Sequence, residues 1–188
     1  GGGGNGDLGV TIASGGSVTA SGDYSAAVYF DEGDSNTLVN NGTITTSDVS
    51  STTIYALHVA DGSVSVTNNG TFGGSVDTGD GDSVIFTNAT GSTLNLGTAF
   101  DLGDDGKLIN GATMSPGGEG TVLTSTVTGS VTQTSYGVYV VDIDGTSTDE
   151  IVFETSGTVL DGAVSGNILS ASETSGSATI ASASSGSI

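Results

Sequence analysis

Three carboxylates in one short, glycine-rich stretch are the side chains of this sequence with the clearest potential for ligand chemistry. They are Asp77, Asp80 and Asp82. Ca²⁺ is bound by oxygen ligands in flexible loops, so these residues are the candidate metal ligands and Ca²⁺ is the one candidate cofactor. Their spacing matches neither the EF-hand loop nor the calcium-binding nonapeptide repeat, which leaves a solvated acidic loop as the alternative.

A second acidic group, Asp101, Asp104 and Asp105, raises the question of glycan hydrolysis, because an inverting glycosidase uses two carboxylates about 6.5 to 9.5 Å apart. Acidic-Gly steps like the one at Asp105 recur along the chain, however, and are typical of turns. The sequence has one Lys, no Arg and a single His, His58. That His has no second His for a metal site. We therefore predict that the protein is not an enzyme, with a glycan hydrolase as the remote alternative.

The net charge restricts the partners that this protein can bind. Twenty-one acidic residues against one Lys give a formal charge of −20. Nucleic acids and anionic membrane surfaces are bound through Lys and Arg, so neither is expected as a partner. The charge also makes the chain repel itself, and we expect it to work in a salty or calcium-containing exterior.

The element that must position these acids is a repeated Asn unit, first seen as Asn40-Asn41-Gly42-Thr43-Ile44 and again as Asn68-Asn69-Gly70-Thr71-Phe72. Weaker copies follow, and in every copy the first Asn comes two residues after a large apolar residue. The pairs are Leu38 and Asn40, Val66 and Asn68, Phe86 and Asn88, and Leu108 and Asn110. Alternate residues of a strand share a face, and the spacings of 28, 20 and 22 residues indicate a solenoid.

These features predict an all-β fold, a single-stranded right-handed parallel β-helix with irregular turns of about 20 to 28 residues. The 33 Gly residues and the many Ser and Thr residues fit short strands and tight turns. In such a coil, equivalent residues stack about 4.8 Å apart. The four Asn residues are then expected to form a structural stack that passes amide hydrogen bonds along the coil. At about 23 residues per turn, the chain would make roughly eight turns.

From residue 108 onwards the sequence changes, and the segment 108–118 reads Leu-Ile-Asn-Gly-Ala-Thr-Met-Ser-Pro-Gly-Gly. This segment resembles the entry motif of the passenger-associated repeat of Gram-negative autotransporters. A short strand at Thr121-Val122-Leu123 and a long alternating strand over 136–143 are expected to follow. The tail 148–162, from Thr148 to Gly162, matches the end of the repeat with Glu-Ile in place of the usual Gln-Leu or Lys-Leu. The resemblance covers about residues 108–168.

That resemblance implies a structural stalk or adhesin segment on the surface of a Gram-negative bacterium, or secreted from it. We expect β-helix turns over 1–107, a passenger-associated repeat over 108–168, and a Ser/Ala/Gly-rich weak turn or linker over 169–188, all cut from a longer protein. Neighbouring turns of that longer chain are the expected partners, together with self-association or a host or surface glycan or protein. The alternative is a self-assembling surface-layer or filament protein whose acidic faces are bridged by Ca²⁺.

Overall fold

The structure, a computed structural model, describes residues 6–79, 82–170 and 177–184. Within these ranges every regular element is a strand and none is a helix. In chain order the strands are β1 (Gly9–Ile12), β2 (Ser17–Ala20), β3 (Ser25–Phe30), β4 (Asn36–Asn40), β5 (Thr43–Thr46), β6 (Ile54–Val59), β7 (Ser63–Asn68), β8 (Thr71–Thr78), β9 (Ser83–Asn88), β10 (Thr93–Asp101), β11 (Lys107–Asn110), β12 (Thr113–Pro116), β13 (Thr124–Thr128), β14 (Ser130–Gln133), β15 (Val138–Asp144), β16 (Ser147–Thr148), β17 (Glu150–Phe153), β18 (Val159–Leu160), β19 (Ala163–Ser170) and β20 (Ala181–Ala183).

The strands stack in parallel on three faces of a coil, which confirms the predicted parallel β-solenoid. The first face has the order β1-β4-β7-β9-β11-β14-β18. The second is built from β2, β5, β12, β15 and β19, and the third from β3, β6, β13, β17 and β20. Strands β8 and β10 run across both the second and the third face, so these two faces form one bent sheet. The pairing of β15 with β16 is antiparallel.

The prediction of eight turns is wrong. Seven strands on the first face enclose six intervals, so the described part of the chain makes about six turns. The first turns are longer than the assumed average, because Val10 pairs with Leu38 and Leu38 pairs with Val66, which takes 28 residues each time. Part of this length lies in the connection between β5 and β6, outside the stacked strands.

Three columns of apolar side chains fill the coil, one from each face. The first contains Leu38, Val66, Phe86, Leu108 and Val131. The second contains Ile44, Phe72, Leu94, Met114 and Tyr139. The third contains Val28, Leu57, Val76, Phe100, Val127 and Phe153. All are buried, and the columns meet in edge-to-face contacts of Phe86 with Phe72 and Phe100, at ring-centroid distances of 5.0 and 5.4 Å.

The short strand expected at Thr121-Val122-Leu123 is not formed, and β13 begins instead at Thr124. The physical reason is that carboxylates, not a neighbouring strand, take the backbone N–H groups. Thr121 N donates to Asp142 Oδ2 at 2.9 Å, and Leu123 N donates to Asp149 Oδ1 at 2.8 Å. The long strand expected over 136–143 is present as β15, and stacking continues through residue 108, since β11 pairs with both β9 and β14.

Candidate functional site

The four asparagines of the repeat lie at the ends of β4, β7, β9 and β11, in one fully buried column. Each amide nitrogen donates to the amide oxygen of the next Asn along the coil. The Nδ2–Oδ1 distance is 2.8 Å from Asn40 to Asn68, from Asn68 to Asn88 and from Asn88 to Asn110. Because every side-chain amide is both donor and acceptor, this ladder satisfies buried polar groups and also fixes the register of the turns.

Sequence reasoning missed the fifth member of this ladder, Gln133. Asn110 Nδ2 donates to Gln133 Oε1 at 3.1 Å, and Gln133 Nε2 donates to the carbonyl oxygen of Asp161. The signal was present, because Gln133 comes two residues after the apolar Val131, as each Asn follows its own apolar partner. The longer side chain of Gln gives an amide at the same place as the Asn of the other turns.

The structure describes two of the three predicted calcium ligands, Asp77 and Asp82. Asp77 points to the outer surface of the third face, where its Oδ2 lies 2.7 Å from His58 Nδ1. Asp82 accepts a hydrogen bond from Gly62 N at 2.8 Å. Asp80 lies outside the described residues. The two described carboxylates line different cavities.

Asp82 instead joins the second acidic group predicted from the sequence. It lines a cavity of about 300 Å³ together with Asp101, Asp104 and Asp105. Asp101 Oδ1 accepts a hydrogen bond from Gly103 N at 3.0 Å, which holds this carboxylate in the turn. Among the described residues, no three His, Cys, Asp or Glu side chains form a group that could hold a metal ion. Calcium binding stays a prediction.

Two further acids are buried where the passenger-associated repeat was predicted. Asp142 accepts hydrogen bonds from Gly120 N, at 2.6 Å, and from Asn167 Nδ2, also at 2.6 Å. Asp149 accepts one from Asp142 N at 2.8 Å. Burial raises the pKa of Asp149 to about 6, against backbone hydrogen bonds that lower it. These carboxylates act as anchors for the 120–123 connection, because their oxygens are occupied by protein N–H groups.

An aromatic cluster on the outer surface of the third face was not predicted. Tyr29, His58 and Asp77 are register partners on three successive strands, β3, β6 and β8. The rings of Tyr29 and His58 are stacked, with centroids 5.1 Å apart and an interplanar angle of 9°. Tyr55 stacks on His58 at 5.6 Å. His58, which sequence analysis treated as isolated, is therefore the centre of an aromatic group.

This cluster lines a solvent-open cavity of about 530 Å³. Ala26 lies one turn before Tyr55 and in register with it. The small side chain of Ala26 leaves space that a larger residue would fill. The rim is formed by Tyr24, which is 85% exposed, and by Tyr29, which is 52% exposed. Asp77 adds the one carboxylate among the lining residues.

Two phenol groups of the cluster are held in their neutral form. Tyr29 Oη donates to Asp31 Oδ1 at 2.8 Å, and this hydrogen bond is the main reason that the pKa of Tyr29 is raised. Partial burial raises the pKa of Tyr55, and the charge of Asp77 adds to the effect. Both tyrosines therefore remain uncharged hydrogen-bonding groups at physiological pH.

A signal for this cluster exists in the sequence. Tyr29, His58 and Asp77 directly follow Val28, Leu57 and Val76, which are consecutive members of the third apolar column. Aligning the turns on that column would have placed the three residues in one outward column. The Asn unit did not reveal this outward column, because the connections between the first and third faces differ in length from turn to turn.

Comparison with known proteins does not add a family to these observations. The chain matches no family model, and neither the curated proteins nor the solved structures contain a significant match. The described residues include no helix long and apolar enough to cross a membrane.

Proposed function

We propose that this chain is a rigid, non-catalytic stalk or adhesin segment of a secreted or cell-surface protein of a Gram-negative bacterium, of the autotransporter passenger type. The observation that supports the proposal best is the buried amide ladder from Asn40 to Gln133, which joins five successive turns. Turns tied together in this way resist bending and sliding, which is what a projecting scaffold requires. The sequence resemblance over 108–168 is the reason for choosing the autotransporter class.

The partners that we propose follow from the same architecture. Within the chain, stacked turns contact one another through all three faces. Strand β19 carries Val164 and Ile168, which are 57% and 68% exposed. Apolar side chains at the end of a stack are suited to covering by a further turn or by a second chain. Self-association and contact with neighbouring turns are therefore both part of the proposal.

Labelling of intact cells tests this function. Cells that produce the full-length protein are labelled with an antibody against this chain, before and after permeabilisation. We expect surface labelling that external protease removes; labelling that appears only after permeabilisation overturns the proposal. Deletion of residues 69–88 removes one 20-residue turn in register and should preserve surface display. Deletion of residues 69–78 removes half a turn, misaligns the columns, and should abolish it.

A calcium-bridged surface layer is the second candidate, favoured by the cavity that Asp82 shares with Asp101, Asp104 and Asp105. In that case Ca²⁺ would offset the repulsion between acidic surfaces of adjacent chains. Chelation of Ca²⁺ should then dissolve assemblies of the full-length protein and lower their melting temperature. Assemblies and melting that are unchanged by chelation exclude this candidate and leave the stalk proposal standing.

A further inference from the structure

We propose that the solvent-open cavity lined by Tyr24, Tyr29, Tyr55, His58 and Asp77 binds a neutral saccharide. Its volume of about 530 Å³ lies within the range of about 300 to 1,000 Å³ that is common for small-molecule sites. Its lining combines the small residues Ser25 and Ala26 with aromatic rings. This inference rests on the proposed function, for which it supplies the class of ligand that an adhesin would recognise.

The walls of the cavity match the two kinds of surface that a sugar ring presents. An aromatic ring has a partly negative face, against which the weakly positive C–H groups of a pyranose can pack. Tyr24 and Tyr29 are the rings most open to solvent here. Sugar hydroxyls need hydrogen-bond acceptors at the edges of such a site, and the Asp77 carboxylate and the tyrosine hydroxyls provide them.

Charge distinguishes a neutral sugar from the other small ligands that aromatic sites bind. The formal charge of −20, with Lys107 as the only Lys or Arg, disfavours acidic sugars and phosphorylated ligands. Aromatic cages for quaternary ammonium groups use the same ring faces. In this cavity, however, Asp77 already lies 2.7 Å from His58 Nδ1. A sugar hydroxyl can donate to the remaining carboxylate oxygen, whereas a quaternary ammonium group has no N–H to donate.

The chain carries its own reporters for a binding experiment. His58 is the only His, so its imidazole protons give one set of NMR signals from inside the cavity. Three of the five Tyr residues line the cavity, and the chain has no Trp, so tyrosine fluorescence also reports on it. The probes are the methyl pyranosides of glucose, galactose, mannose and N-acetylglucosamine and their linear tetramers. Sialyllactose serves as the anionic comparison and choline as the cationic one.

We expect at least one neutral probe to shift the His58 signals in a saturable way. Tyr29→Ala should weaken that binding at least about tenfold, as expected for an aromatic anchor. Ala26→Leu, which fills the cavity and deletes no ring, should do the same. The matched control is Tyr136→Ala, since Tyr136 is 76% exposed and lies at another cavity. The affinity of this variant for the neutral probe should stay within about twofold of that of the unmodified chain.

Three results overturn the inference: no neutral probe shifts the signals, binding survives both Tyr29→Ala and Ala26→Leu, or choline binds there and the sugars do not. Surface labelling of intact cells decides the proposed function separately. If the protein is found on the cell surface but binds no neutral probe, only the sugar-binding inference is wrong. If the chain binds sugar but the protein is absent from the cell surface, the binding-site inference stands and the stalk proposal is wrong.

Discussion

Removal of one amide from the middle of the Asn ladder is the most direct test of what holds the turns together. Asn68 is fully buried and takes part in four hydrogen bonds. It donates to Asn88 Oδ1 at 2.8 Å and to the carbonyl oxygen of Thr93 at 3.0 Å. It accepts from Asn40 Nδ2 at 2.8 Å and from Gly70 N at 3.3 Å. Asn68→Ala removes all four bonds and creates a small cavity.

The expected loss of stability follows from these contacts. A hydrogen bond contributes about 1 kcal/mol net, and a buried group left without a partner costs about 1 to 3 kcal/mol. Asn40 Nδ2 keeps the carbonyl oxygen of Thr71 as an acceptor, and Asn88 Oδ1 keeps the Ser92 hydroxyl as a donor. The remaining partners therefore limit the penalty for unpaired groups. We expect Asn68→Ala to lower the free energy of unfolding by about 4 kcal/mol.

The adjacent residue supplies a matched control. Asn69 has the same side chain, but it is exposed and makes one side-chain bond, from its Nδ2 to Asn41 Oδ1 at 3.0 Å. Asn69→Ala should lower the free energy of unfolding by less than about 1 kcal/mol. Urea unfolding followed by far-ultraviolet circular dichroism compares the two variants. If Asn68→Ala and Asn69→Ala shift the midpoint equally, the buried ladder does not stabilise the coil and our reasoning is wrong.

Two further predictions concern pH and backbone geometry. Burial raises the pKa of Asp149 from an ordinary 3.8 to about 6, so the folded carboxyl takes up a proton more readily than the unfolded one. Its stabilising contribution is complete below about pH 4 and is lost as the pH rises through 6. The urea midpoint should fall over that interval, and a fall of equal size in Asp149→Asn would contradict the assignment. Gly62 and Gly91 have nearly equal φ angles of 88° and 87°, but only at Gly62 would a Cβ atom collide with backbone, at the Gly33 carbonyl oxygen. Gly91→Ala should lower the free energy of unfolding by about 1 to 2 kcal/mol, and Gly62→Ala should lower it clearly more. Equal melting temperatures of the two variants would show that the close stacking of these turns is not rigid.

The sequence by itself determined the architecture and the position of the amide column. An apolar residue followed two places later by an amide places both side chains on the same face of a strand, and the apolar member indicates that this face is buried. Repetition of this pair at Asn40, Asn68, Asn88 and Asn110 then allows satisfied amides only if the turns stack in parallel. The strand pairings bear out that fold. Gln133 escaped notice because it keeps the pair but has Gln in the place of Asn.

Only the tertiary structure decided which outward side chains meet. Asp77 and Asp82 are near neighbours in sequence, yet β8 directs Asp77 towards His58 while Asp82 bonds to Gly62. Tyr29 and Asp77 lie 48 residues apart and end in one column with His58 between them. Inward positions carry apolar side chains in turn after turn because the core must be filled. Outward positions depend on the length of each connection and on local bulges. The sequence alone does not say which apolar residues of successive turns are register partners, so the aromatic cluster became visible only once the strand pairings were known.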